Sequence, residues 1–460
     1  MWSKDIMDLD VEGGKMDFVK YLNKKIECGC GNTHFCGIED IIIEDGALLK
    51  IPRLIRNKGY KQIFVVSDLN TEVAAGLKVK ELLTENQIAF QAYVFSEKEL
   101  IPDEKAVGTL LIQVPVGCDL ILAVGSGTLN DLSRFVTSKL GIDYYVIATA
   151  PSMDGFASNV SPLIVDHVKT TYEIKNEKSS GMPKAIIGDL TILSEAPMEM
   201  IAAGAGDILG KYVCIADWQI SHIITGEYYC SDVAIMIQES IEKIVAAIPK
   251  LRDRDKNAIS DVMEGLVLSG IAMSFIGNSR PASGSEHHVS HYWEMMSLLR
   301  GSHGALHGIK VGVGTVLCLK LYKKLGMWIE MGETARICKQ ETYIFNKEEW
   351  NQKITEAYQI AAPSVILLED KVHKNGEEAV NIRRKNFLIH ENEILTIIDN
   401  LPAPEDIEAY LFNIQAPVNP GQIQVSSQEE ARSILYAKDL RNRFGLLQIL
   451  HDLNLNQKDL

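Results

Sequence analysis

Short apolar runs alternate with helical stretches through the first part of this chain, and that alternation leaves few folds open. Lys61-Gln-Ile-Phe-Val-Val-Ser67 is β-rich, and residues 71–85 follow with helical periodicity. Phe90-Gln-Ala-Tyr-Val-Phe95 is again strand-like. Asp119-Leu-Ile-Leu-Ala-Val124 is almost continuously apolar, the pattern of a strand buried on both faces. It runs through Gly125-Ser-Gly-Thr128 into a helical stretch over 129–140, and residues 144–148 form another short strand. The alternation predicts an α/β domain over residues 1–190, built on a parallel sheet. Residues 161–189, β-branched and punctuated by Gly and Pro, read as a hairpin or small excursion.

Beyond residue 193 the period changes. Long helical patterns cover 198–224, 231–247, 258–276 and 304–324, so residues 191–460 are expected to form a mostly α-helical domain. Residues 402–424 read as a Pro-containing connection to a last helix over 429–453, and no repeats are visible.

Composition narrows the class. With 460 residues, 46% hydrophobic and 23% charged, the chain has ample core and is no disordered tract. The 46 Lys+Arg against 61 Asp+Glu, 46 − 61, leave a formal charge of −15, which argues against nucleic acid held on a general basic surface. No apolar run reaches the ~20 residues of a membrane helix. The segment Met1-Trp-Ser-Lys-Asp-Ile-Met-Asp-Leu-Asp10 lacks the basic and apolar regions of a signal peptide, so a cytoplasmic location with reduced thiols is expected. An anionic ligand would then need a few well-placed positive groups.

Gly125-Ser126-Gly127-Thr128 sits where a buried strand hands over to a helix, the place where backbone N–H groups and the helix dipole converge on an anion. Thr128 is placed to cap that helix. The common dinucleotide fingerprint has a third glycine where Asn130 stands, so a plain strand–helix turn is the competing reading. Asp68 follows the strand ending at Ser67 and can face a ribose, favouring NAD over NADP, or can simply cap a helix. Thr149-Ala-Pro-Ser152-Met-Asp154-Gly-Phe-Ala-Ser158 ends the next strand and is placed to line the same crevice.

Three sets of residues have metal-ligand chemistry. Asp207 lies in the small-residue helical string Ala203-Gly-Ala-Gly-Asp-Ile-Leu-Gly-Lys211, and a carboxylate buried there needs a positive side chain or a metal. Arg280-Pro-Ala-Ser-Gly-Ser-Glu-His287-His-Val-Ser-His291 puts His287 and His291 on one helical face, and Leu306-His307-Gly308 adds a further imidazole. One carboxylate and two imidazoles make an open set for a divalent transition ion. Cys28-Gly-Cys30-Gly-Asn-Thr-His34-Phe-Cys36 also has metal-site character, but no second ligand pair follows at zinc-ribbon distance. A turn with ordinary thiols is the expectation there.

Taken together and in order, the strings at 125–131, 149–158, 206–211, 280–291 and 306–308 resemble the sn-glycerol-1-phosphate dehydrogenase family in its bacterial form. That family lies within the iron-containing alcohol dehydrogenase and dehydroquinate synthase superfamily. The similarity runs from about Ile38 to Leu435-Tyr-Ala-Lys-Asp-Leu-Arg-Asn-Arg443. It implies a nucleotide-binding sheet, a helical metal domain and an active site in the cleft between them. It also implies that Asp207, His287 and His307 hold one nickel or zinc ion, and that Asp154, Asp207 and His291 contact the substrate. Asp68, Gly125, Ser126, Gly127, Thr128, Leu129, Thr149, Ser152 and Ser158 would contact NAD(H) or NADP(H).

The implied reaction interconverts dihydroxyacetone phosphate and sn-glycerol-1-phosphate, a phospholipid precursor, in a homodimer. The metal would act as a Lewis acid and His291 as a proton relay. Arg280 and Lys310, flanking the two ligand histidines, are the sequence's candidates for the substrate phosphate. Glycerol dehydrogenase, dehydroquinate synthase or a silent nucleotide- and metal-binding protein are the competing readings. Residues 340–401 carry no recognisable motif, and the chain looks longer there than the family.

Overall fold

Residues 120–125 are all buried, and they form the centre of a six-stranded sheet in the computed structural model, which describes residues 16–165, 168–174, 181–340 and 342–455. The segment read above for a signal peptide, Met1 to Asp10, lies outside the described residues. The strands are β1 (Lys25–Glu27), β2 (Thr33–Phe35), β3 (Asp40–Glu44), β4 (Ile63–Asp68) and β5 (Phe90–Phe95). They continue with β6 (Leu120–Gly125), β7 (Asp143–Ala148), β8 (Val160–Val165), β9 (Val168–Glu173) and β10 (Ala185–Asp189).

The main sheet has the order β3-β10-β7-β6-β4-β5 and every neighbouring pair is parallel. Between β4 and β6 the direction of winding reverses, because the chain reaches the β5 edge and then returns past β4 to lay down β6. In open α/β sheets a crevice forms outside the carboxyl ends of the strands at such a switch point. Asp68 and Gly125 end those two strands.

Two sheet strands escaped the sequence reading. β3 is only half-buried at the sheet edge, and β10 lies inside the stretch read as an excursion. All five residues of β10 are buried between β3 and β7, yet Ala-Ile-Ile-Gly-Asp is too short to show a period. The true excursion is the antiparallel hairpin β8–β9, tied to the sheet side by the Ile164 amide donating to the Pro102 carbonyl at 2.9 Å.

The rest is mostly helix, as the long periods predict. The elements that matter below are α1 (Gly127–Leu140), α2 (Met198–Leu209), α3 (Lys211–Thr225) and α4 (Ser231–Leu251). After them come α5 (Lys256–Ile276), α6 (Ser285–Leu299) and α7 (His307–Glu330). Helix α5 is long and apolar enough to cross a bilayer, but 89% of its most apolar window is buried inside the protein, so it is a core helix. One apolar cluster runs without a break from the sheet through these helices, and a smaller one covers the other sheet face.

Two expectations near the end of the chain need correction. Residues 402–424 contain a helix, Pro404–Asn413, started by proline in its first turn. The expected last helix is broken into Ser427–Tyr436, a 3-10 turn Ala437–Leu440 and Leu446–Asp452. The break goes with a tertiary contact. The backbone turns extended at Arg441, and a Cβ at position 445 would collide with the Asp217 carboxylate, so only glycine lets the chain pass there. Residues 340–401 supply the helices Lys347–Tyr358, Ala362–Val372 and Glu377–Asp399. The last of these is tied to α3 by Asn386, whose side-chain amide donates to the Ile224 carbonyl at 2.7 Å.

Candidate active site

Sheet and helices meet around a cavity of about 320 Å³. From the sheet side it is lined by Gly127 and Thr128 of the loop after β6, and by Asp154 and Ser158 of the loop after β7. Helix α1 starts at Gly127, with Ser126 at the N-cap, so Thr128 sits inside the first turn and does not cap it. The N-terminal end of this 14-residue helix, with its unpaired first-turn N–H groups, therefore borders the cavity.

The two loops are tied together. Ser126 and Ser152 share a hydroxyl–hydroxyl hydrogen bond of 2.5 Å, and the Thr149 amide donates to the Gly125 carbonyl at 3.3 Å. Asn130, standing where the common fingerprint has glycine, donates its side-chain amide to the Gly155 carbonyl at 3.1 Å. The departure from the fingerprint is thus a brace between the loops. Leu129 packs under Gly125, where a Cβ would come within 2.6 Å of it, so only the backbone of Leu129 can face a ligand.

Asp68 does cap. Its Oδ1 accepts the amides of Asn70 and Thr71 at 2.9 and 2.8 Å. It remains at the switch point, because the pairing of Val66 with Ala123 puts Asp68 level with Gly125. It does not line the cavity.

On the helical side, small residues decide how close the ligand candidates come. A Cβ on Gly206 would lie 2.6 Å from the Gly308 carbonyl, and one on Gly308 would overlap the Ala203 carbonyl. The bare backbones let α2 and α7 touch, which sets Asp207 beside His307. Helix α6 enters through Asp217 of α3, whose carboxylate accepts the Ser285 amide and hydroxyl at 2.7 Å each, and also the Leu446 amide at 2.8 Å.

The outcome is a cluster of Asp207, His287 and His307 whose donor atoms all lie within 4.8 Å of one another. The His287 Nε2 is 3.4 Å from Asp207 Oδ1, and its Nδ1 lies 2.6 Å from a Glu286 carboxylate oxygen. A carboxylate behind a histidine is the usual way to orient a metal-binding imidazole. The buried Nδ1 of His307 has no hydrogen-bond partner among the described residues. His291 stands alongside, its ring centroid 5.9 Å from that of His287 and 5.5 Å from that of His307.

The positive partner that Asp207 needs is a side chain one helical turn on. Lys211 lies 2.9 Å from Asp207 and 2.6 Å from Asp154, and it also donates to the Ala282 carbonyl at 2.9 Å. Two carboxylates and one ammonium leave one net negative charge beside the imidazoles. Burial alone would lift Asp207, yet Lys211 and then the imidazoles hold its carboxyl well below the usual carboxylate range. Asp154 is pushed up, by burial and by repulsion from Asp207, and Lys211 is held protonated by both carboxylates against its own burial. Burial, reinforced by Lys169 and Arg441, keeps His291 well below the ordinary imidazole value, so it is neutral near pH 7.

The rest of the wall was largely invisible in the sequence. Lys169 on β9, Lys310 on α7 and Arg441 from the broken last helix all face the cavity. Lys169 pairs with Glu294 at 2.7 Å, Lys310 approaches the same carboxylate at 3.8 Å, and Arg441 donates to the Thr171 hydroxyl at 2.9 Å. Of the two cations expected to meet a phosphate, Lys310 lies on the wall but Arg280 does not. Arg280 is buried behind it, donating to the carbonyls of Asp217 and Phe444 at 3.1 and 2.7 Å and pairing with Glu227 at 3.0 Å. Lys169 and Arg441 carry no motif, and only the hairpin and the helix break bring them there.

Known proteins share this plan. Residues 42–197 match the iron-containing alcohol dehydrogenase family. A glycerol-1-phosphate dehydrogenase (NAD(P)+) of Halalkalibacterium halodurans is 32% identical over 430 residues, 93% of this chain and 96% of that one. A protein of the same name from Bacillus licheniformis is 35% identical over 444 residues, 95% of this chain and 96% of its own. These relatives are matched nearly end to end, so residues 340–401 are not an addition peculiar to this chain. Among solved structures, maleylacetate reductase from Agrobacterium tumefaciens superposes with a TM-score of 0.59 at 14% identity, covering 92% of this chain and 96% of that one. Glycerol dehydrogenase from Schizosaccharomyces pombe gives 0.57 at 14% identity, covering 91% and 89%.

Proposed function

Because the chain belongs to the glycerol-1-phosphate dehydrogenase family, we propose that it interconverts dihydroxyacetone phosphate and sn-glycerol-1-phosphate, as an oxidoreductase dependent on NAD(P) and a divalent metal. The observation that carries this reading is the lining of one cavity, which combines a helix N-terminus, an acid–imidazole cluster and three cationic side chains. Lys169, Lys310 and Arg441 put more positive charge on the wall than the uncharged glycerol calls for. A phosphorylated substrate uses them, because its phosphate can replace or join Glu294 beside the two lysines and Thr171 beside Arg441.

Asp207, His287 and His307 would hold the ion, nickel or zinc, through one carboxylate oxygen and two ring nitrogens, and the donor set suits it. Such an ion supplies Lewis-acid polarisation of the substrate's carbonyl oxygen. The nicotinamide supplies or accepts the hydride. Gly125, Ser126, Gly127, Thr128 and Leu129 would bind the dinucleotide phosphates through backbone N–H groups, and Asp68 would meet the ribose at the neighbouring strand end. Thr149, Ser152 and Ser158 would position the nicotinamide half, and Asp154 the substrate hydroxyl. His291, neutral in its cationic surroundings, is the group proposed to pass a proton to or from the substrate oxygen. Lys211, 2.6 Å from Asp154 and 2.9 Å from Asp207, would act as a positioning residue that offsets the repulsion between the two carboxylates. A homodimer in the cytoplasm is the proposed working form.

The test is turnover of dihydroxyacetone phosphate by the purified chain with NADH and with NADPH. Chiral analysis of the product and metal content are measured on the same sample. The sn-1 enantiomer with one catalytic metal per chain is expected. A product of sn-3 configuration, or activity on glycerol alone, would overturn the reading.

A further inference from the structure

The cysteines near the start of the chain do not form an ordinary turn. The hairpin β1–β2 lays Cys28, Cys30 and His34 against α4, and the residue that completes the group is Cys230, 202 positions after Cys28 and N-cap of that helix. The four donor atoms lie within 4.8 Å of one another. Cys28 Sγ and Cys230 Sγ are 3.5 Å apart, Cys30 Sγ and His34 Nε2 3.5 Å, and Cys230 Sγ and His34 Nε2 3.6 Å. A tetrahedral zinc, with bonds of ~2.3 Å to sulfur and ~2.0 Å to nitrogen, spaces its ligands by about 3.5–3.8 Å. Cys36, the third cysteine of the sequence motif, is fully buried in the apolar core and takes no part.

The surroundings are those of a metal site. His34 uses Nδ1 on the Phe275 carbonyl at 3.0 Å and stacks on the Phe275 ring, which leaves Nε2 for a ligand role. Tyr228 donates its hydroxyl to Cys30 Sγ at 3.0 Å, and the Tyr228 carbonyl is itself held by the Trp218 indole at 2.8 Å. The Asp232 carboxylate lies 3.1 Å from Cys28 Sγ and adds negative potential. Between the two first cysteines and the histidine, the chain turns with Gly31 at positive φ and the Cys28 amide donating to the Asn32 carbonyl at 3.1 Å.

We propose that Cys28, Cys30, His34 and Cys230 bind a structural zinc ion, separate from the active site. Four protein ligands close the coordination sphere, so the ion has no open position for chemistry. Its effect is to fasten the N-terminal hairpin to the start of α4 and to the end of α5. The loop leaving α5 leads through Arg280 to His287, and Glu227, three residues before Cys230, pairs with Arg280. The ion therefore secures the frame behind the catalytic helix.

Metal content separates this from the active-site reading. The full chain carrying His287→Ala, grown with zinc, is expected to retain one zinc per chain, and adding Cys230→Ser is expected to remove it. Cobalt loaded into the His287→Ala chain should show thiolate-to-metal charge-transfer bands in the near ultraviolet, a readout that needs no cysteine variant. Zinc absent from the His287→Ala chain together with no such bands would overturn the proposal. So would a Cys28–Cys230 disulfide found by mass spectrometry in its place, or zinc that survives Cys230→Ser but is lost in Cys36→Ser.

Discussion

The two walls of the cavity are built by different physics. At the sheet's carboxyl edge the lining is backbone and small polar side chains: α1 begins there at Gly127, and the Ser126 hydroxyl is paired with Ser152 of the neighbouring loop. The helical wall uses formal charges at close quarters, with Lys211 between two carboxylates, imidazoles beside them and Glu294 between two lysines. A dipolar site is made by local chain geometry and is legible in a short string. A charged site inside a protein must be balanced by partners from distant segments, because an unpaired buried charge is not tolerated.

The comparison can be broken at its charged side first. Removing the His287 imidazole should abolish both the bound active-site metal and turnover, a fall of ~10³-fold or more in kcat. Full activity in a His287→Ala chain lacking that metal would refute the assignment. Lys211→Met leaves Asp154 and Asp207 facing each other unpaired, and a stability loss of ~3–5 kcal/mol is expected by denaturant titration of the metal-free chain. An unchanged midpoint would mean that the carboxylates are balanced elsewhere.

Milder changes sharpen the contrast within the helical wall. Lys169→Gln should raise the Michaelis constant for dihydroxyacetone phosphate by ~10–100-fold, with bound metal unchanged. Arg280→Gln should behave in the opposite way, lowering thermal stability while sparing that constant, because its guanidinium serves backbone carbonyls behind the wall. If both raised the constant equally, Arg280 would have to reach the substrate.

The smallest effect is on acid stability. Burial, followed by Arg443 and Arg441, holds His288 well below the ordinary imidazole value, so the folded chain does not take up the proton that the unfolded chain binds near pH ~6.5. Its folded pKa is depressed, so stability is full above that pH and falls as the pH drops below it. One such group changes it by up to ~1.4 kcal/mol per pH unit. Unfolding titrations between neutral and mildly acid pH should show a shallower slope in His288→Leu, and an identical slope would contradict a neutral buried His288.

How far each feature could be read follows from the range of the interaction that makes it. The helices α4 and α5 announce themselves through period, and the strands β4, β5, β6 and β7 through runs of apolar and β-favouring residues long enough to stand out. β10 does not, because Gly188 and Asp189 cut its apolar run to Ala185-Ile-Ile187. The break in the last helix is equally silent: it depends on Asp217, which lies on another helix and forbids a side chain at Gly445.

By itself the sequence determined the α/β-then-helical architecture, the glycine-containing strand-to-helix turn at Gly125 to Leu129, and the residue types of the acid–imidazole cluster. It also carried the family, through strings that keep their order along the chain. Only the tertiary structure decided which charges meet. It paired Lys211 with Asp154 and Asp207, moved Arg280 behind the wall and brought Lys169 and Arg441 onto it. It also exchanged Cys36 for Cys230 among the thiols. The physical reason is that periodicity and backbone dipoles are properties of neighbours in sequence, whereas charge balance and metal-ligand geometry belong to neighbours in space.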